Sequence, residues 1–130
     1  MKSRITLSVV LTVMLPAGAA LAHHSMSALF DFNQRFTRTG TLTKLDWRNP
    51  HSYITVEAKN DQGQMETWQF EGPAPNVFRN LNVGKADFEA AVGKTVKVEA
   101  SRARDGSLKG LMRILTFPDG TVVSLCPQNC

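Results

Sequence analysis

The chain of 130 residues has only two cysteines and three histidines, and it lacks the compact motifs that mark common enzyme families. There is no Gly-rich phosphate loop, no Gly-x-Ser-x-Gly elbow and no His-Glu-x-x-His pair. Both cysteines, Cys126 and Cys130, lie at the C-terminal end with no histidine near them in sequence. No apolar run approaches the roughly 20 residues a bilayer span needs. Clustered Lys and Arg are missing too, Arg102 and Arg104 being only a local pair, so no electrostatic footprint for nucleic acid is present. The pattern favours a binding protein over an enzyme, while leaving a metal oxidase open.

Residues 1–22 read as a secretory signal peptide. Lys2 and Arg4 precede an apolar run from Ile5 to Leu15, Pro16 breaks it, and small residues end in Ala20-Leu21-Ala22. Export of this kind places the mature protein in the periplasm, with no membrane span after signal removal. Cleavage after Ala22 removes Lys2, Arg4 and no acid, so the formal charge of +4 falls by two. An exported chain sits where disulfides persist, and a Cys126–Cys130 bridge would tie down the residue 126–130 tail. The alternative for that Cys-x-x-x-Cys pair is a thiolate metal or redox site.

The remainder is the length of one domain. Residues 23–34 form an N-terminal arm too apolar, through Met26, Leu29, Phe30 and Phe32, to be a free tail. Arg35 to Trp47 reads as a long first strand with Gly40 at a bend or bulge. Ser52 to Lys59 and Gln64 to Glu71 alternate with period two and flank the Asn60-Asp61-Gln62-Gly63 turn, which makes a hairpin. Pro75 starts a short amphipathic helix over Asn76 to Asn82, and a second helical turn follows near Asp87 to Val92. Strands over Lys94 to Ala103 and Ser107 to Phe117 come next, with Gly110 shifting the apolar phase as at a bulge, and then Thr121 to Leu125. Three strands, a helical connection and two or three further strands predict a mostly β domain over residues 35–125, a small OB-like barrel of five to six strands. An open meander sheet covered by one helix is the alternative. The predicted interior includes Ile54, Val56, Trp68, Phe70, Val96 and Val98.

The run Ala22-His23-His24-Ser25, Gly40, Trp47-x-Asn49-Pro50-His51, Trp68 with Glu71, and Arg104-Asp105-Gly106-Ser107 resembles a family of small exported bacterial proteins of unknown function. The resemblance covers nearly all of the mature chain and implies export in a Gram-negative bacterium. It supplies no activity, and the cysteine-bearing tail departs from the pattern.

Chemistry therefore has to come from the histidines. A chain starting at His23 offers copper(II) an amine and a ring nitrogen from one residue, and His51 adds a third nitrogen donor. This donor set resembles the histidine brace of copper monooxygenases and of some copper-resistance proteins, in ligand type alone. His24 is a competing imidazole or one that supports the site from outside, Glu71 and Asp46 are candidate acceptors for an imidazole N–H, and Met26 and Met65 are candidate sulfur donors for copper(I). Trp47 reads as packing, or as a cation cap. A start at Leu21 would instead put a histidine third, where backbone amides join the coordination. The plain alternative is a solvated His23-His24 start with His51 as a turn residue.

Two functions follow: a periplasmic copper-handling protein with metal ligands His23, His51 and His24, or a metal-free interaction module. The module would bind an envelope protein, peptide or glycan through Tyr53, Trp68 and the Arg48 loop. N-terminal sequencing of exported protein should return His23 first; a Leu21 start removes the brace, and a retained signal removes both copper geometries.

Overall fold

The computed structural model describes residues 26–125. The signal segment, His23, His24, Cys126 and Cys130 lie outside the described residues. After helical residues 26–29, six strands and two short helices follow in the order β1 (Phe30–Asp46), β2 (Tyr53–Lys59), β3 (Met65–Glu71), α1 (Pro75–Asn80), α2 (Lys85–Ala91), β4 (Thr95–Ala103), β5 (Lys109–Thr116) and β6 (Val122–Ser124). They form one sheet in the order β3-β2-β1-β4-β5-β6, and an added β3–β5 pairing closes it on itself. The closing contact is parallel, joining Gln69–Glu71 to Lys109–Leu111; the other pairings are antiparallel. This is a small OB-like β-barrel, with the helical connection between strands three and four.

β1 does the work of two strands. Its first part pairs with β4, its last part with β2, and Gly40 and Thr41 pair with both. At that crossing a Cβ on Gly40 would collide with the Glu57 carbonyl oxygen and the Ala58 side chain, so glycine is required by close approach. The irregularity in pairing with β2 falls just after it, between Leu42 and Lys44. β1 also begins earlier than Arg35, because Phe30 and Asp31 pair with Ala103 and Arg102 before a register shift ending at Arg35. Part of the arm is thus strand, and Phe30 is buried.

The phase change in β5 lies at Arg113 rather than at Gly110. Glu99 opposes Ile114 while Ala100 opposes Met112, so Arg113 is the extra residue of a bulge. Gly110 serves packing instead: a Cβ there would come within 2.9 Å of the Ala100 Cβ and 3.0 Å of Phe36.

The interior follows period-two alternation. Ile54, Val56, Trp68, Phe70, Val96 and Val98 are all buried, together with Leu42, Met112 and Leu115. Phe36, Trp68 and Phe70 stack along one side of the core, Phe36 and Trp68 at 4.7 Å between ring centres. A second aromatic group, Trp47, Phe78, Phe88 and Phe117, fixes the helices against the barrel, with centroid separations of 5.1–5.3 Å. Pro75 occupies the first turn of α1, and the Asp87 carboxylate accepts from the Gly84 N–H at the start of α2. No helix among the described residues is long and apolar enough to cross a membrane.

Trp68 is fully buried, with its indole N–H donating to Glu66 at 2.8 Å. Replacing it with alanine removes that packing and leaves a cavity, so Trp68→Ala should cost about 3–5 kcal/mol in urea-unfolding measurements.

Candidate functional site

The β1–β2 connection places His51 because the backbone carries the β2–β3 ladder one step past its last paired residues. Tyr53 opposes Glu71. Beyond them the Ser52 N–H donates to the Pro73 carbonyl at 3.1 Å, and the Gly72 N–H donates to the Ser52 carbonyl at 2.8 Å. Gly72 permits this seat, since a Cβ would come within 2.5 Å of the Met112 Cε and 3.0 Å of Phe78. The Asn49–Pro50 peptide in the connection is cis.

His51 Nδ1 lies 2.6 Å from Glu71 Oε1. An ionised carboxylate only accepts, so a neutral ring in this position is favoured in the tautomer that carries its proton on Nδ1 and leaves the Nε2 lone pair free. The His51 side chain is 36% exposed and that of Glu71 14%, which leaves the ring accessible above a largely covered anchor. Asp46 does not share this role: it pairs with Arg48 at 3.2 Å. The Arg48 guanidinium also stacks over Tyr53, 5.2 Å from the ring centre.

Tyr53 sits between these groups. Burial raises its phenol above the ordinary range, the Glu71 charge adds to the rise, Arg48 opposes it, and Asp46 adds a smaller rise. Asp46, Arg48, His51, Tyr53 and Glu71 therefore form one polar patch on the rim of the barrel.

Other sequence candidates fall elsewhere. Met65 is exposed at the far end of the β2–β3 hairpin, opposite Lys59. Six residues separate it from Glu71, about 20 Å along a strand, so it stands apart from His51. Trp68 leaves the set of surface contact residues because it points into the core. Trp47 packs on Phe78 and Phe88. No cluster of three or more His, Cys, Asp or Glu suited to a metal occurs among the described residues.

Residues 11–113 match the model of a family described as a family of unknown function (DUF6152). The chain belongs to that family. The matched segment takes in His23, His24 and the Trp47–His51 stretch, and it stops short of Cys126 and Cys130. No curated protein and no solved structure matches the chain.

Tyr53 is the single tyrosine, so the ultraviolet absorbance of tyrosinate reports it alone. Its midpoint should lie above the usual value of about 10. Glu71→Gln should lower the midpoint only in part, because burial is the larger cause.

Proposed function

We propose that the exported protein handles copper in the periplasm, binding one copper(II) through the His23 amine, the His23 ring and Nε2 of His51. The observation carrying this reading is the 2.6 Å His51–Glu71 contact. Metal-binding histidines usually donate their second ring nitrogen to a carboxylate, which fixes the tautomer and aims the other nitrogen. Glu71 provides that support from a rigid strand, and His24 supplies a neighbouring imidazole.

The route of the chain is compatible with this donor set. Asp31 pairs with Arg102, Arg102 with Gly110, and Gly110 with Phe70, the neighbour of Glu71. Three strand spacings amount to about 14 Å along the sheet. Residues 26–29 form a helical turn, and from Ser27 back to His23 the chain can span at most about 13 Å. The Arg104 N–H and Nε donate to the Leu29 and Ser27 carbonyls, both at 2.9 Å, and tie this segment to the β4–β5 connection. That connection in turn touches β3, where the Gln69 N–H donates to the Leu108 carbonyl at 3.0 Å.

The metal-free module remains the second reading, favoured by the exposed Arg48 stacked on Tyr53 beside the β2–β3 face that OB-like barrels use for ligands.

Copper titration with electron paramagnetic resonance on protein beginning at His23 decides between them. His51→Ala, and a version with one extra residue before His23, should each weaken binding by orders of magnitude and change the nitrogen coordination signal. Glu71→Gln should weaken it about 10- to 100-fold. Wild-type binding no tighter than that of a short His-His peptide, or affinity untouched by these changes, favours the module.

A further inference from the structure

The barrel interior is not apolar throughout. On β1, β3 and β4 the inward alternation that holds Leu42, Phe70 and Val98 continues through Arg38, Glu66 and Arg102, at the mouth away from the helices. Two guanidiniums there cover the same two rings. Arg38 lies 5.4 Å from the Phe36 ring centre and 4.9 Å from that of Trp68, and Arg102 lies 5.6 and 5.3 Å from them.

One carboxylate faces these two cations, and its hydrogen bonds go elsewhere. Glu66 Oε1 accepts from Asn60 Nδ2 at 3.0 Å, and Oε2 accepts from the Trp68 indole at 2.8 Å. These bonds, Asn60 first and Trp68 next, hold Glu66 below the ordinary carboxylate range, with smaller help from Arg38 and Arg102. Glu66 therefore stays ionised and stands 4.0 Å from Arg38 Nε, beyond hydrogen-bond distance. Among the described residues Arg38 makes one hydrogen bond, from Nη1 to the Thr37 carbonyl at 2.9 Å, while its Nε is buried with no acceptor. Asp31 pairs in register with Arg102, but its carboxylate turns to Arg104, Gln34 and the Asn33 N–H. No carboxylate among the described residues lies within ion-pair distance of Arg102.

Stacking on aromatic rings favours each cation separately, but it does not satisfy guanidinium N–H groups in the ring plane, and it sets two like charges together. A buried donor without an acceptor is costly. An oxyanion at the open edges of the two guanidiniums offsets the paired charge and accepts from their outward N–H groups, because guanidinium forks match carboxylate and phosphate oxygens. We infer that this mouth is a binding site for a single oxyanionic group, a carboxylate or a phosphate, held by Arg38 and Arg102 above the Phe36–Trp68 platform. It shares no residue with the His51 site and does not depend on copper.

Isothermal titration of the full mature chain at low ionic strength, with inorganic phosphate in one arm and acetate in the other, tests the site. Sodium chloride at matched ionic strength is the control, and tryptophan fluorescence is read in parallel because Trp68 lies beneath both guanidiniums. Saturable binding of either anion is expected, and the tighter arm identifies which oxyanion the site prefers. Arg102→Gln should weaken it about tenfold or more. Arg102→Lys, which keeps the charge but loses the fork, should also weaken it, whereas Arg79→Gln, exposed on α1 at the other end of the barrel, should leave it unchanged. Circular dichroism establishes that each variant is folded, and Arg102→Lys serves if Arg102→Gln is not. A response reproduced by chloride, no saturation by either anion, or equal affinity in wild type and Arg102→Lys overturns the proposal.

Discussion

Because β1 must pair with β2 and β4 at once, the barrel depends on a point where three backbones meet, and that point is Gly40. The Glu57 carbonyl and the Ala58 side chain occupy the space a Cβ would need. With this crossing made, the end of β1 carries Asp46 and Trp47 towards the helices, while its beginning runs beside β4. Closure then requires only the short parallel contact of β3 with β5. Gly110 and Gly72 serve the same end, each replacing a side chain where Phe36, Phe70, Phe78 or Met112 already fills the volume.

Closure also explains why polar chemistry collects at the rims. A barrel this small fills its middle with Leu42, Val56, Phe70, Val98 and their neighbours, so functional groups must lie where strands enter or leave. At the rim nearer the helices, two backbone bonds between Ser52 and the Gly72–Pro73 segment hold His51 over Glu71. At the opposite mouth, the inward phase of three strands carries Arg38, Glu66 and Arg102. The first arrangement orients one ring nitrogen outward; the second gathers positive charge that its single carboxylate does not saturate.

The two polar clusters differ in how they are supported. His51 is positioned by a carboxylate on a neighbouring strand, so its geometry rests on the β2–β3 ladder. The arginines are positioned by aromatic faces, so theirs rests on the Phe36–Trp68 stack and hence on the core itself.

Strand and helix order was legible in the chain because period-two alternation and the turn residues Asn60–Gly63, Gly72–Pro75 and Gly106 act locally. The inward set of Ile54, Val56, Trp68, Phe70, Val96 and Val98 follows from the same alternation. His51 stood out in the chain as well, since it is one of three histidines and follows a Pro turn. Its pairing with Glu71 was visible only as one of two candidate acceptors; choosing between Glu71 and Asp46 needed the register that sets Tyr53 opposite Glu71. The bulge at Arg113, the early start of β1 and the arginine mouth were not legible, because each depends on a partner distant in sequence. Local alternation thus determined which side chains face inward, and tertiary structure alone decided which of them meet, because barrel closure brings together strands whose separation along the chain carries no signal.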